Sequence, residues 1–333
     1  MGNESSARTN GVIFAFEKLC FAFWIITVPF YILLMYALVR AQRKRNSSLT
    51  SSFYKLCITA GFIDIVNLLN NYFGAVFPKW GWFTSVYLFL GKPYVYTYLV
   101  IAWGSGINQA ISVSMLAANR LSAILVPQYY HKIWDKQRLN LAMVIQIVPG
   151  YIIPALLFLR NKVHIRETTT GGLVPAFQGK DTTETYFTIA GLFLAVNCLF
   201  LVLAYCYLFF MLRIRHHAQL EMNPGSWARG RAKELSRREF RLFLMSSTIV
   251  AVQLILLLFI SSRLFKWFPF TIEIFYNIWN VINDFYSGIS AYLLWIFSDS
   301  LRHFVYMLLG FTRHPISSIT PVVITLTRTR TKY

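Results

Sequence analysis

The sequence has 333 residues, of which 56% are hydrophobic and 14% are charged. A soluble domain carries about 25% charged residues, so this composition excludes an ordinary soluble protein and indicates a chain surrounded by membrane lipid. The formal net charge of +19 would favour a nucleic-acid partner in a soluble protein. Here the basic residues lie between long apolar blocks, and we expect no nucleic-acid partner.

Seven apolar segments are long enough to cross a membrane, because a helix needs about 20 residues to do so. They are residues 19–39, 53–77, 94–119, 139–159, 185–212, 240–262 and 272–297. The sequence therefore predicts an all-α membrane protein built as a bundle of seven transmembrane helices. Residues 78–93 are predicted to form an aromatic-rich loop at the membrane interface.

The basic residues predict the orientation of the bundle, because Lys and Arg are enriched on the cytoplasmic side of a membrane. The connections 40–52, 120–138, 213–241 and 298–333 hold 21 of them, whereas the connections on the other side hold 10. We therefore predict an extracellular N-terminal segment at 1–18 and a cytoplasmic C-terminus. Within the tail, residues 298–310 are predicted to form a short amphipathic helix.

Two overlapping motifs at the N-terminus require opposite sides of the membrane. Gly2 with Ser6 fits the myristoylation pattern, which is read in the cytosol. Asn3 begins a glycosylation sequon, which is read in the secretory lumen. The predicted orientation favours Asn3 as a glycosylation candidate, whereas the sequon at Asn46 would face the cytoplasm and stay unmodified.

Acidic and amide side chains lie inside the predicted spans, where an ionisable group costs about 2.5–3.5 kcal/mol on insertion scales. Asp64 and Asn67 recur at helical spacing in the second span, and the seventh span carries a longer polar stripe. The stripe consists of Glu273, Asn277, Asn280, Asp284 and Ser287, with Asn283 beside it. Stripes of this kind face the interior of a bundle and not lipid.

The acidic residues of the second and seventh spans fall at a similar depth, together with Asn108, Gln109 and Gln253 of other spans. We hypothesise that this layer contains a central polar switch. Its candidate residues are Asp64, Asn67, Asn280, Asn283 and Asp284. Interhelical hydrogen bonds that only hold the helices together are the alternative.

Aromatic residues are concentrated in the outer half of the predicted bundle. An interfacial aromatic belt accounts for some of them, but Trp103 and Trp279 lie deep enough to line a pocket. We predict that such a pocket would take a small, mostly apolar molecule as its ligand, with Asn108, Gln109 or Asn280 fixing its orientation.

The sequence contains no catalytic constellation and no metal-binding pattern. Its four cysteines lie within or at the edge of apolar segments without a C-x-x-C spacing, and its six histidines lie in polar connections or the tail. An intramembrane metal hydrolase would need ligands inside the bundle. We therefore predict that the protein is not an enzyme and has no metal or cofactor.

The cytoplasmic extension of the sixth span has a basic face that includes Arg237, Arg238 and Arg241. Contact with anionic headgroups explains much of this charge. Docking of a cytosolic partner is the functional interpretation, and composition does not separate the two.

The end of the third span reads SMLAANRLSAILVPQYYHKIW, which contains Asn119-Arg120 followed by Pro127, Tyr130 and Trp134. This motif resembles that of the nematode serpentine chemoreceptors, particularly serpentine receptor class gamma. The stretch SSFYKLCITAGFIDIVN and residues 298–304 are similar to the same class.

The resemblance implies a seven-helix G-protein-coupled receptor in the plasma membrane of a chemosensory neuron. By position, Arg120 matches the arginine that rhodopsin-like receptors carry in Asp-Arg-Tyr, with Asn119 in place of the acid. The resemblance makes Asn119 and Arg120 candidates to face a heterotrimeric G protein. An interfacial arginine that only reaches toward the headgroups is the alternative for Arg120.

Taken together, the sequence predicts a G-protein-coupled chemoreceptor for a small extracellular cue, an odorant or pheromone. A transporter or ligand-gated channel that uses the Asp64 and Asp284 layer as a permeation site is the alternative. No pattern in the sequence indicates an oligomeric state.

Overall fold

The computed structural model describes residues 2–44, 49–158, 162–168, 171–177, 180–222, 226–264 and 272–311. This part of the chain contains eight helices of ten residues or more. They are α1 (Gly2–Arg43), α2 (Ser52–Asn71), α3 (Thr84–Leu125), α4 (Lys136–Phe158), α5 (Lys180–Met222), α6 (Ser226–Leu264), α7 (Ile272–Phe297) and α8 (Asp299–Leu308). A π-helical turn at Tyr72–Val76 and helical turns at Phe77–Lys79 and Tyr130–Ile133 lie between them.

Six of the described helices are long and apolar enough to cross a membrane. Their membrane-compatible parts are Ala15–Arg43, Ser52–Lys79, Thr84–Leu125, Lys136–Leu156, Glu184–Ile214 and Phe243–Ser262. At 26 residues, or about 39 Å, α7 is also long enough, but its polar stripe makes it less apolar. It packs against α1, α2 and α6 and completes the predicted seven-helix bundle.

Helix α1 begins at Gly2, although the sequence predicted that the first span starts at residue 19. The backbone of the predicted extracellular segment is therefore helical in its described part. The side chain of Asn3 lies outside the described part of the structure, and so does its sequon hydroxyl.

The connection between α2 and α3 differs from the loop predicted at 78–93. The chain reverses through Gly81 (φ 77°) and Phe83 (φ 55°), and α3 starts directly afterwards at Thr84. Helix α3 is broken at Gly91, whose φ of 56° and ψ of −133° suit only a residue without a Cβ. The predicted loop is therefore a short helix, Thr84 to Leu90, set at an angle to the long part of α3.

A β-hairpin connects α4 and α5, which an all-α prediction does not include. Strands β1 (Val163–Glu167) and β2 (Leu173–Phe177) pair antiparallel, with Val163 opposite Phe177. Gly171, with a φ of 77°, makes the turn. The hairpin packs against α3 and lies at the end of the bundle where α4 ends and α5 begins.

Helices α3 and α4 approach closely because two glycines face each other. A Cβ added at Gly150 would lie 2.3 Å from the Asn108 Oδ1 and 2.3 Å from the Gly104 carbonyl oxygen. Small residues at helix contacts are how membrane bundles bring backbones together.

Helix α8 follows α7 after a single residue, Ser298, whose side chain accepts the Leu301 N–H at 3.3 Å. Leu301, Phe304 and Val305 are buried against the bundle. A short helix capped by Ser298 thus lies where the sequence predicted one.

Candidate functional site

The first polar network of the bundle joins α1, α2, α3 and α7 around Asp64. The Gln109 Nε2 donates to the Asp64 Oδ1 at 2.7 Å and to the Ser287 Oγ at 2.8 Å. The Tyr31 hydroxyl donates to the Asp64 Oδ2 at 2.6 Å. All four side chains are buried, so the carboxylate is held by donors from two other helices.

The amides of α2 extend this network along α7. The Asn67 Nδ2 lies 3.0 Å from the Ser287 Oγ and 3.0 Å from the Asn283 Oδ1. One turn further along α2, the Asn71 Nδ2 donates to the Asp284 Oδ1 at 2.7 Å. The structure thus brings Asp64, Asn67 and Asn283 into one network.

The two carboxylates of the predicted switch do not form a direct pair. Asp64 connects to α7 through Ser290 directly and through Gln109 and Ser287, whereas Asp284 is bound by Asn71 and Tyr72. Asn280, on the same face of α7, is only half-buried and takes no part in the hydrogen bonds of this layer among the described residues. The position of each carboxylate is set by the rotation of its helix, which depth alone does not give.

A second polar chain joins α3, α5, α6 and α7. The Asn197 Nδ2 donates to the Ser114 Oγ at 2.7 Å, and the Gln253 Nε2 donates to the Asn197 Oδ1 at 2.8 Å. The Tyr286 hydroxyl donates to the Gln253 Oε1 at 3.4 Å. Sequence reasoning singled out Gln253 but missed its partners. The signal for Asn197 was available, because it is a lone amide in an apolar run.

A cavity of about 30 Å³ lies between the two networks. Its lining includes Asp64, Gln109, Ser112 and Tyr286. The Gln109 Oε1 and the Ser112 Oγ are buried and have no hydrogen-bond partner among the described residues. Since about 10–15 Å³ suffices for one water molecule, the cavity can hold a water molecule or a small cation beside the carboxylate.

Six aromatic residues form an outer aromatic cluster beneath the hairpin. They are Trp103, Phe158, Phe177, Tyr186, Phe187 and Trp279. Trp103 stacks on Tyr186 with ring centroids 3.8 Å apart, and Phe187 meets Trp279 edge-on at 5.7 Å. Both tryptophans predicted to line a pocket therefore belong to one cluster, which joins α3, α4, α5, α7 and the hairpin.

Asn108 and Gln109 of α3 were predicted to orient a ligand, but neither side chain faces the outer aromatic cluster. The Asn108 Nδ2 donates to the Ile147 carbonyl at 2.7 Å, and its Oδ1 accepts the Gly150 N–H at 2.8 Å. Gln109 lies in the Asp64 network. Asn108 therefore ties α3 to α4, and neither amide lies in the outer aromatic cluster.

At the opposite end of α3, Asn119 anchors the connection that follows. The Asn119 Nδ2 donates to the Ser52 Oγ at 3.1 Å, and the Tyr130 hydroxyl donates to the Asn119 Oδ1 at 3.3 Å. The Trp134 Nε1 donates to the Ser122 Oγ at 2.7 Å. Asn119 and Tyr130 thus hold the connection after α3 against the start of α2, and Trp134 holds it against the end of α3.

Arg120 lies beside this anchor. Its guanidinium carbon is 3.6 Å from the centroid of the Phe53 ring, an attractive cation–π arrangement. Its Nε is buried without a hydrogen-bond partner among the described residues. Arg120 is therefore a cation at this end of the bundle that is held by an aromatic ring.

The basic residues of α6 are described only in part. Arg241 pairs with Asp299 at the start of α8, with 2.5 Å between Nη1 and Oδ2. The side chains of Arg237 and Arg238 lie outside the described part of the structure. Among the described residues, no group of three or more His, Cys, Asp or Glu could hold a metal ion.

Residues 20–311 match the family model of the serpentine type 7TM GPCR chemoreceptor Srv. The chain belongs to this Srv family. The match spans most of α1 and all of the other helices of the bundle, so the protein is an integral, multi-pass membrane protein with a seven-transmembrane, GPCR-like fold. No curated protein matches the sequence.

Membership of the Srv family bears on two further predictions. It confirms the resemblance to serpentine chemoreceptors, although it does not support the assignment to class gamma. The Srv family is a receptor family and not an enzyme family.

Proposed function

We propose that this Srv-family protein is a receptor for a small extracellular chemical cue, an odorant or pheromone, and that it signals through a heterotrimeric G protein. In this proposal it lies in the plasma membrane of a chemosensory neuron with its N-terminus outside. The observation that supports the proposal best is the pair of buried polar networks, which join six helices between the outer aromatic cluster and Arg120.

The outer aromatic cluster is the proposed binding region for the cue. Its aromatic rings offer apolar contacts, and small-molecule sites are usually apolar with a few polar groups that fix orientation. Asn280, one residue after Trp279 and half-buried, supplies such a group. This environment favours a small, mostly apolar cue.

In this proposal, the buried networks transmit the effect of cue binding from the outer aromatic cluster to the cytoplasmic end of the bundle. A cue shifts the receptor between two helix arrangements only as far as it binds them with different affinity. Trp279 of the cluster lies on α7, which also carries Asn283, Ser287 and Tyr286 of the two networks. A displacement of α7 at the cluster would therefore change hydrogen bonds to α2, α3 and α6 together.

Arg120, the buried Asn119 and the basic face of α6 lie at the proposed cytoplasmic end of the receptor. Arg120 has no acidic partner among the described residues, so it can bind an acceptor of the G protein once α6 moves. Arg237, Arg238 and Arg241 would add positive charge around that contact.

The test of this function is nucleotide exchange by a reconstituted complex. The purified receptor in lipid nanodiscs is mixed with a heterotrimeric G protein and a panel of small apolar volatiles, and binding of a non-hydrolysable GTP analogue is measured. A cue should also raise the melting temperature of the receptor. W279A should abolish both responses, whereas R120A should abolish exchange but keep the melting shift.

The matched control is W295A, since Trp295 is a tryptophan of α7 that lies far from the cluster and packs against Phe30. It should keep the cue response. Cue-gated ion flux in proteoliposomes without a G protein, together with no nucleotide exchange, would contradict the proposal and favour a channel.

A further inference from the structure

The short helix that precedes Gly91 exposes an unusually apolar surface. Residues 80–91 contain no Asp, Glu, Lys or Arg. The side chain of Phe89 is 90% exposed. Its large apolar neighbours Trp82, Phe83, Val86, Leu88 and Leu90 are exposed as well.

The opposite side of this helix is fixed to the bundle by tyrosines. Tyr87 is buried, and its hydroxyl donates to the Phe73 carbonyl at 2.6 Å. Its ring lies 4.8 Å from that of Tyr94, whose hydroxyl donates to the Gly74 carbonyl at 2.5 Å. The helix therefore has one face held against the π-helical turn after α2 and one apolar face without a protein partner among the described residues.

The length of α3 shows that this helix is not part of a straight span. Its 42 residues would extend about 63 Å, roughly twice the thickness of the hydrocarbon core. The break at Gly91 turns the first residues of α3 aside at the hairpin end of the bundle, where a Cβ added at Gly172 would collide with the Lys79 carbonyl.

We propose that the helix from Thr84 to Leu90 lies in the lipid leaflet on the hairpin side of the bundle, with Phe89 directed into the acyl chains. Phe73, on the turn that Tyr87 contacts, is also exposed and lies in Ser52–Lys79, a stretch long and apolar enough to cross a membrane. The short helix therefore lies beside a helix whose exposed side chains lipid would cover. The exposed Lys92 directly after Gly91 fits the level of the lipid headgroups, toward which lysine side chains near helix ends extend.

Lipid contact at this helix supports the turn that presents Asn71 to Asp284. The π-helical turn Tyr72–Val76 follows Asn71 directly, and the hydroxyls of Tyr87 and Tyr94 both bind its carbonyls. Lipid contact that fixes the position of the short helix therefore also fixes the π-helical turn. Through the Asn71–Asp284 hydrogen bond it fixes the position of α7 as well. This inference does not depend on the proposed ligand or G protein.

The experiment measures the environment of residue 89. A receptor with Cys20 and Cys206 replaced by Ala receives F89C, is labelled with an environment-sensitive nitrobenzoxadiazole probe and is placed one copy per phosphatidylcholine nanodisc. We expect blue-shifted emission that is quenched by lipids carrying a nitroxide near the headgroup. L199C on the exposed face of α5 is the lipid-facing control, and E167C on the hairpin is the water-facing control.

Two outcomes would overturn the proposal. Emission at the wavelength of the E167C control would place the helix in water. Blue-shifted emission without quenching by either shallow or deep nitroxide lipids would show that protein covers the face. V86C, on another exposed position of the helix, gives the same measurement if F89C does not fold.

Discussion

At the scale of single residues, the buried carboxylate of Asp64 depends on donors from other helices. Tyr31 of α1 and Gln109 of α3 both donate to it. In lipid, a donor that loses its acceptor has no water to bind. The stability of the bundle should therefore be sensitive to this one side chain.

We expect D64A to destabilise the receptor by about 1–3 kcal/mol, because it leaves buried donors unsatisfied. D64N keeps an acceptor in place and should lose less. The measurement is the melting temperature of each purified variant in the same detergent. E184Q, at an exposed carboxylate of α5, is the control, and equal melting of D64A and E184Q would rule out a stabilising role for the network.

Asn119 offers a second prediction at this scale. N119A removes the hydrogen bonds to Ser52 and Tyr130, so the connection after α3 should open more often. We expect faster amide hydrogen exchange at residues 127–134, measured by mass spectrometry, with no change in the β-hairpin. Unchanged exchange at 127–134 would mean that the direct Ser52–Tyr130 hydrogen bond and the Trp134–Ser122 hydrogen bond hold the connection without Asn119.

At the scale of helices and strands, the contact of α3 with α4 depends on the absence of a side chain at Gly150. G150A would place a Cβ 2.3 Å from two oxygens, and we expect a loss of about 1–3 kcal/mol, the usual cost of overpacking. G106A is a matched control on α3, because a Cβ there meets nothing within 4 Å. The measurement is the melting temperature of G150A and of G106A. Equal values would show that α3 and α4 can move apart to accommodate the added Cβ at little cost in stability.

Some elements could be predicted from the sequence because their pattern is local. The polar stripe of α7 follows from a spacing of three and four residues, and Ser298 as the cap of α8 follows from its residue type. The hairpin was missed because its two strands of five residues lie between long spans and carry little periodicity. The break at Gly91 depends on a backbone conformation that no pattern reveals.

The candidate site could be predicted only in part. The sequence placed Asp64, Gln109 and Asp284 in one layer, but in the structure Gln109 contacts Asp64, whereas Asp284 binds Asn71, about two helical turns along α2 from Asp64. It could not show that Asn108 faces α4, since one residue of difference turns a side chain by about 100° around a helix. Contacts between helices decide which of two adjacent amides reaches the Asp64 network.

At the scale of the whole molecule, orientation is the property that every functional proposal shares. The excess of Lys and Arg in alternate connections predicts an extracellular N-terminus. We therefore expect Asn3 to be glycosylated in a eukaryotic host, so that N3Q and glycosidase treatment each lower the apparent mass on a gel.

Two variants separate this prediction from its alternatives. N46Q should not change the mass, because its sequon would face the cytoplasm. The protein should not incorporate labelled myristate, with or without G2A, because a myristoyl group would require a cytosolic N-terminus. A mass shift with N46Q instead of N3Q, or an N-terminal tag stained only after permeabilisation, would invert every connection of the bundle.

The polar stripe of α7 also affects how the protein is made. Six described helices are apolar enough to enter a bilayer one by one, whereas α7 brings Asn277, Asn283 and Asp284 with it. The polar groups of α7 can form their hydrogen bonds to α2 and α3 only after those two helices have entered the membrane. Biogenesis should therefore end with a concerted step, in which the last helix leaves the translocon together with its earlier neighbours and not alone.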